Sequence, residues 1–213
     1  MIYTCLFPKF GAYLSMCLAD EIYSQGFHII DNFLEPSVFQ ALRETAEFMH
    51  NQGHFKQAKV GHQINAAHHS NIRNDKICWL DEDSTNSAVN RYFTRLHEIA
   101  KILNQSLFLG LQDFETHFAI YQPGSFYKKH VDQFKGSTDR RISCVYYLNA
   151  EWQEKLGGQL MLYDCDDKPL TSVLPQGNRF VCFSSELPHE VCTTQETRYS
   201  ITGWMKTRSS SIS

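Results

Sequence analysis

The sequence lacks several features that mark whole classes of protein. Its seven cysteines form no C-x-x-C pair, so neither a zinc ribbon nor a thioredoxin-like site is indicated. No uninterrupted apolar run approaches the roughly 20 residues of a membrane span. The apolar N-terminus has no basic segment before it and is interrupted at Pro8, Lys9 and Gly11, which disfavours a signal peptide. We therefore expect a cytoplasmic protein with reduced, buried thiols such as Cys144 and Cys182.

The chain also lacks a marked excess of charge. Its formal net charge is -3 over 213 residues, whereas a nucleic-acid-binding protein usually presents a basic face. The expected partners are therefore small molecules or proteins, with no nucleic acid and no membrane. No repeat or low-complexity linker divides the chain, and its length suits one domain. We expect a single domain over residues 1–213, with a disordered tail at 207–213.

The hydrophobic pattern changes near residue 113. Between about 14 and 112, amphipathic segments predict helices over 19–25, from Pro36 onward and over 87–105. The polar stretch 54–78 between them predicts a long excursion with short strands. Between about 113 and 206, alternating runs bounded by turn residues predict roughly six to eight strands. The pattern indicates an α+β fold in which an antiparallel sandwich or barrel packs against helices on one side.

Three side chains in the strand-rich half could bind a metal. His130 and Asp132 would point to the same face of a strand, although a chain with ten histidines contains roughly one His-x-acid motif by chance. The later predicted strand that begins at His189 can supply another ligand. Two histidines and one carboxylate leave half of an octahedral iron site open. Arg198 follows on the next strand, and a buried guanidinium needs a partner such as a dicarboxylate.

The sequence around these positions resembles the prolyl hydroxylases of the 2-oxoglutarate oxygenase superfamily. The likeness is greatest to the oxygen-sensing HIF prolyl hydroxylases and to bacterial relatives that act on elongation factor Tu. It extends from about residue 26 to 206. Five motifs carry it: IRNDKICWL at 72–80, YQPGSFYKKHVD at 121–132, RRISCVYYLN at 140–149, LGGQL at 156–160 and PHEVCTTQETRYSITGW at 188–204.

This resemblance implies a fold, a metal and cosubstrates. The fold would be a double-stranded β-helix, or jelly-roll, of antiparallel strands with N-terminal helices packed against one sheet. His130, Asp132 and His189 would be the catalytic iron(II) ligands. The cosubstrates would be 2-oxoglutarate and dioxygen, with ascorbate in support. The residues expected to bind 2-oxoglutarate are Arg198 and Tyr147 at its distal carboxylate, and Tyr121, Leu160 and Thr202 elsewhere in the pocket.

The resemblance also implies an activity on a protein. Arg73 and Asp75 match a pair on a mobile loop that engages the target, Arg141 matches a residue at the substrate mouth, and Trp204 matches a further pocket position expected to contact substrate. The implied reaction is hydroxylation of a prolyl residue at C4, with decarboxylation of 2-oxoglutarate to succinate. Elongation factor Tu is one candidate substrate.

Alternatives to this interpretation remain open. Arg73 and Asp75 could simply pair on the surface. The enzyme could be a related oxygenase acting on a small molecule or a different residue, although the IRNDK motif favours a protein substrate. The third class is a non-enzymatic barrel that binds a metal or ligand for sensing.

The remaining histidines are less informative. His97 lies on an amphipathic segment and is expected at the surface, whereas His117 could face either the core or the pocket. The stretch 54–73 has no clear counterpart in the family. A solvated loop is favoured there over a second metal site, and it carries His54, His62, His68 and His69.

Overall fold

The structure is a computed structural model that describes residues 9–58, 71–133 and 139–207. Its helices are α1 (Lys9–Gln25), α2 (Pro36–Asn51) and α3 (Ser87–Leu107), with a short 3-10 helix at Glu154–Leu156. Its strands are β1 (Phe27–Ile30), β2 (Lys56–Gln57), β3 (Lys76–Trp79), β4 (Leu111–Tyr121), β5 (Tyr127–His130), β6 (Arg140–Tyr147), β7 (Leu160–Tyr163), β8 (Pro169–Val173), β9 (Phe180–Ser184), β10 (His189–Val191) and β11 (Arg198–Thr207).

The strands form two antiparallel sheets. The larger has the order β1-β9-β6-β11-β4-β3-β2, and the smaller has the order β5-β10-β7-β8. Neighbours in both sheets are mostly distant in sequence, as expected when the chain winds back and forth between two layers. The predicted double-stranded β-helix is confirmed. Among the described helices, none is long and apolar enough to cross a membrane.

Side-chain alternation along the central strands builds two separate cores. On β4, Phe118 and Ile120 pack in a cluster with apolar residues of all three helices. Ala119 and Tyr121, pointing the other way, pack in a second cluster between the sheets. Successive residues of a strand face opposite sides, so one apolar run serves both layers. The same alternation places Tyr147 of β6 between the sheets.

The two helices with the clearest periodicity begin where the sequence predicts. α2 begins at Pro36, where the missing N–H of proline is not needed. α3 is capped by Asn86, whose side chain accepts hydrogen bonds from the N–H groups of Ala88 and Val89. Apolar positions such as Leu96 and Ile99 of α3 are buried against the larger sheet. The expected packing of helices against one sheet is therefore confirmed.

Two local expectations differ from the structure, and one agrees with it. The helix predicted over 19–25 begins ten residues earlier, at Lys9, because the added residues contain no proline and include good helix formers such as Ala12, Leu14 and Met16. Strand β8 begins with Pro169 at the edge of its sheet, where a proline is tolerated, and the eight described strands from β4 to β11 lie within the predicted six to eight. The expectation that His130 and Asp132 share one strand is wrong, because β5 ends at His130.

Candidate active site

His130 and His189 come together through strand pairing in the smaller sheet. They are direct cross-strand partners of β5 and β10, and their ring centroids lie 4.2 Å apart. Tyr127 stacks on the ring of His130 at 3.6 Å, and the ring of Phe183 lies 4.8 Å from His189 on the other side. Strand pairing and ring contacts thus hold together two imidazoles that are 59 residues apart in sequence.

Asp132 reaches the same point from a bend after β5. The N–H of Asp132 donates to the carbonyl of Ser185 at 3.2 Å, and its Oδ2 accepts a hydrogen bond from Ser143 Oγ at 2.6 Å. Its Oδ1 lies 3.6 Å from His130 Nε2, and Oδ2 lies 3.3 Å from His189 Nε2. Backbone and hydroxyl contacts, rather than strand geometry, aim this carboxylate at the histidines.

Hydrogen bonds orient both imidazoles with Nε2 toward Asp132. His130 Nδ1 donates to the Lys128 carbonyl at 2.8 Å, and His189 Nδ1 donates to the Leu187 carbonyl at 2.9 Å. A carbonyl oxygen can only accept, so Nδ1 of each ring carries a hydrogen and Nε2 is the nitrogen that faces Asp132. This is the usual arrangement around metal-ligating histidines. One ligand atom from each of the three residues lies within 4.8 Å of the others.

The three groups also shift one another's protonation. Burial by itself would raise the pKa of Asp132, but His189 and His130 outweigh it and hold that pKa well below its usual value. Burial and the nearby His189 lower the pKa of His130. Asp132 is therefore a carboxylate and His130 a neutral imidazole near pH 7. Burial would lower the pKa of His189, but Asp132 outweighs it and raises that pKa, so a divalent cation would displace the proton that His189 shares with Asp132.

Arg198 and Tyr147 lie side by side, and both are buried. Arg198 is 1% exposed, and its guanidinium carbon lies 4.9 Å and 5.0 Å from the ring centroids of Tyr121 and Tyr147. Its Nη1 donates to Ser200 Oγ at 3.3 Å. Arg198 Nε and Tyr147 Oη have no hydrogen-bond partner within the described residues. A buried cation without an anionic partner is costly, so this pair suits a carboxylate ligand.

Glycine at position 158 makes room for Arg198. A Cβ there would lie 3.1 Å from Arg198 Cδ and 3.2 Å from Thr194 Oγ1. The LGGQL motif drew attention to this segment, but the hydrophobic periodicity of the sequence does not predict the close approach of Gly158 to Arg198.

We expect Gly158→Ala to weaken 2-oxoglutarate binding, because the methyl group crowds the arginine. The variant should also lose about 1 kcal/mol of stability, since its φ of +71° disfavours a side chain. Gly53→Ala is the matched control, with φ +76° and open space around the new Cβ. It should lose similar stability and keep its Kd for 2-oxoglutarate by calorimetry. Equal ligand affinity in both variants would contradict the crowding argument.

A cavity between the sheets contains most of the predicted site. Arg198, Tyr147 and Arg141 are not in its wall, but the guanidinium of Arg198 lies beside Tyr121, which is part of the wall. The predicted residues that line the cavity are Arg73, Asp75, Tyr121, His130, Asp132, Leu160, His189, Thr202 and Trp204. The individual binding roles of these residues stay predictions.

Arg73 and Asp75 form a buried ion pair in the cavity wall. Arg73 donates to both carboxylate oxygens of Asp75, at 2.7 Å from Nε and 2.5 Å from Nη2, and its guanidinium lies 4.3 Å from the Tyr127 ring centroid. Asp75 is fully buried. The surface alternative is therefore wrong: the two residues do pair, but inside the site.

His117 faces the cavity rather than only the core. Its ring lies 4.9 Å from Trp79 and 5.6 Å from Trp204, and it borders the same space as the triad. Burial, with Arg73 and Arg140 nearby, lowers the pKa of His117 to about 3, so the imidazole is neutral. Its Nδ1 has no partner within the described residues and is free to meet a polar group of a ligand.

The other predicted positions lie away from the cavity. The carbonyl of Arg141 accepts from the N–H of Ser185, whose own carbonyl holds the Asp132 bend. His97 is exposed and pairs with Glu82, as expected, and His54 is also exposed. The remaining loop histidines, His62, His68 and His69, fall outside the described residues.

The cysteines with described side chains are free thiols. Cys144 and Cys182 are buried as expected, whereas Cys165 is exposed. The expectation of buried thiols is therefore wrong for Cys165, which follows the end of β7 in a turn.

Comparisons with known proteins agree with this geometry. Residues 116–206 match the family model of the 2OG-Fe(II) oxygenase superfamily. A Pseudomonas putida prolyl-4-hydroxylase structure is 34% identical, with a TM-score of 0.82, over 92% of this chain and 100% of that one. The chain belongs to the iron(II)- and 2-oxoglutarate-dependent prolyl hydroxylase family.

Animal members of the family are also similar. A Trichoplax adhaerens prolyl hydroxylase, solved in complex with a hypoxia inducible factor peptide fragment, is 27% identical with a TM-score of 0.82, over 92% of this chain and 90% of that one. Human Egl nine homolog 1 is 27% identical over 84% of this chain, which spans only 43% of that longer protein. Membership in this family makes the protein an oxygenase that uses iron(II), 2-oxoglutarate and dioxygen, and the donor set above fits the metal.

Proposed function

We propose that this protein hydroxylates a prolyl residue of a protein substrate at C4, with decarboxylation of 2-oxoglutarate to succinate. Elongation factor Tu is the substrate we would test first, because the motifs resemble those of bacterial relatives that act on it. The observation that supports a protein substrate is the Arg73–Asp75 pair, which borders the cavity beside the triad. The Trichoplax relative, solved with a peptide, supports the same class of substrate.

In this proposal, His130, Asp132 and His189 hold the iron(II). Once bound, iron(II) and 2-oxoglutarate supply the activation of dioxygen that places one oxygen atom in a C–H bond. Ser143, through its hydrogen bond to Asp132 Oδ2, keeps that carboxylate oriented. The protein's part is to fix the positions of the ligands and leave the remaining sites open.

Arg198 and Tyr147 would anchor the distal carboxylate of 2-oxoglutarate. A guanidinium can donate two parallel hydrogen bonds to a carboxylate, and the phenol can add a third. Burial, partly offset by Arg198, raises the pKa of Tyr147, so its hydroxyl keeps its hydrogen and remains a donor. Apolar wall residues such as Leu160 and Val191 exclude water from the reacting centre.

The Arg73–Asp75 pair gives a prediction that separates substrate binding from chemistry. We expect Arg73→Lys to raise the KM for the protein substrate by about tenfold, because lysine cannot reproduce the two-oxygen contact with Asp75. Succinate formed without substrate should change by less than about twofold. Arg43→Lys is the control, because Arg43 forms a partly exposed pair with Glu47 on α2. A substrate KM unaffected by Arg73→Lys would argue against a role for this pair in recognition.

The substrate class is tested by incubating the enzyme with iron(II), 2-oxoglutarate and either purified elongation factor Tu or a lysate from a deletion strain. We expect a new hydroxyproline, seen by mass spectrometry as one added oxygen atom at C4. Robust turnover of a free amino acid or other small molecule, with no modified prolyl peptide, would favour the alternative oxygenase.

A further inference from the structure

A second group of metal-ligand side chains lies on the opposite face of the larger sheet. Cys17 and Glu21 are one helical turn apart on α1, and His28 follows on β1 after the turn at Gly26. One ligand atom from each lies within 4.8 Å of the other two. Positions four apart on a helix share a face, so the helix presents the thiol and the carboxylate side by side toward the strand.

The contacts within this group are short. Cys17 Sγ donates to Glu21 Oε1 at 3.0 Å, and His28 Nδ1 lies 2.8 Å from Glu21 Oε2. Gln25 Nε2 also donates to Glu21 Oε2, at 3.1 Å, which holds the carboxylate in place. Metal–ligand bonds of about 2.0 to 2.3 Å place neighbouring ligands of a tetrahedral ion roughly 3 to 4 Å apart, so small side-chain movements would admit an ion.

We propose that Cys17, Glu21 and His28 form a binding site for a borderline-soft divalent cation of the zinc type, separate from the catalytic iron.

The chemistry of the three donors supports this class of ion. Thiolate, imidazole and carboxylate are the side chains that zinc uses, and three protein ligands leave a fourth position for water. A thiolate and a carboxylate together neutralise a divalent charge. Ions of the magnesium type prefer oxygen ligands alone, so the sulfur argues against them.

The setting of His28 leaves its ring able to act as a ligand. His28 is 5% exposed, and its Nε2 has no hydrogen-bond partner within the described residues. Nothing described there requires Nε2 to remain unprotonated, so the hydrogen can move to Nε2 and free the Nδ1 lone pair for the ion. The side chains of Cys17 and Glu21 are only partly buried, which gives an ion a path from solvent.

This site is distinct from the iron centre. His28 pairs with Cys182 of β9, and Cys182 packs in the helix-side core. The triad instead lies between the sheets, beside Phe183. An ion bound here would tie α1 to β1, so it should stabilise the folded protein without entering the reaction.

Cobalt(II) provides a test because only a thiolate ligand gives an intense near-ultraviolet charge-transfer band, and the iron triad contains no sulfur. Chelator-treated full-length protein is titrated with cobalt(II) without oxygen. We expect the band in the wild type and in Cys165→Ser, and its loss in Cys17→Ser. Glu21→Gln should weaken cobalt(II) binding at this site by more than about tenfold.

Zinc(II) should raise the melting temperature of the wild type more than that of Cys17→Ser. Equal melting temperatures in chelator would show that the substitution itself does not disturb the fold. The absence of a thiolate band in the wild type, or its survival in Cys17→Ser, would overturn the proposal and leave the three side chains as a hydrogen-bonded network only.

Discussion

Replacing Asp132 with alanine will reduce succinate formation by more than about a hundredfold. Removing a residue that only hydrogen-bonds to a metal ligand typically costs about ten- to a hundredfold in activity, and Asp132 is itself a proposed ligand. Asp132 supplies the only carboxylate at the proposed iron site within the described residues. Without it, two neutral imidazoles remain to hold a divalent cation. The measurement is succinate per enzyme at saturating 2-oxoglutarate, together with the Kd for iron(II).

Ser143→Ala is a milder substitution to compare with Asp132→Ala. It removes the hydrogen bond to Asp132 Oδ2 but leaves all three ligands, so iron affinity or activity should fall by only about ten- to a hundredfold. Circular dichroism should show both variants folded. Wild-type turnover by folded Asp132→Ala protein would remove Asp132 from the ligand set.

Replacing Arg198 with alanine will raise the KM for 2-oxoglutarate by about thirtyfold or more. This corresponds to about 2 kcal/mol, the lower end of the cost of truncating a buried, hydrogen-bonded charge pair. The KM of Arg198→Lys for 2-oxoglutarate should lie between those of Arg198→Ala and the wild type, because lysine keeps the charge but cannot donate two parallel hydrogen bonds to the carboxylate. Iron(II) affinity should stay unchanged, because Arg198 is not among the metal-binding residues.

The control for Arg198 is Arg179→Ala, which removes an arginine paired with Asp31, outside the cavity wall. Its KM for 2-oxoglutarate should change by less than about twofold. Arg198→Met should also leave stability without cosubstrate unchanged or higher, because no described carboxylate balances the buried charge. An unchanged KM in Arg198→Ala would contradict the anchoring role.

Periodicity and resemblance made much of the fold and site predictable. Alternation along β4 and β6 fixes which residues face between the sheets, and Tyr121 and Tyr147 fall on that face as a result. His189 and Arg198 fall on consecutive predicted strands, and the resemblance to the family grouped them with His130. Such patterns depend on neighbours in sequence or on strand register, both of which the amino-acid order encodes.

The parts that sequence reasoning missed depend on contacts between distant residues. Ser143 of β6 and Ser185, in the turn just after β9, hold Asp132 by hydrogen bonds, and their local sequence pattern does not predict these contacts. The space that Gly158 leaves for Arg198 is likewise a three-dimensional property. The expectation for Asp132 was wrong because a strand was assumed to continue past His130, where the chain instead bends.

In the proposed reaction, this site places one atom of dioxygen on a prolyl residue and the other in succinate. The most direct test supplies dioxygen carrying a heavy oxygen isotope to the enzyme, iron(II), 2-oxoglutarate and a substrate peptide, and analyses both products by mass spectrometry. We expect one labelled atom in the hydroxyproline and one in succinate, with both products lost in Asp132→Ala. Hydroxyproline labelled only from water, or succinate formed without any hydroxyproline on every protein substrate tried, would contradict it.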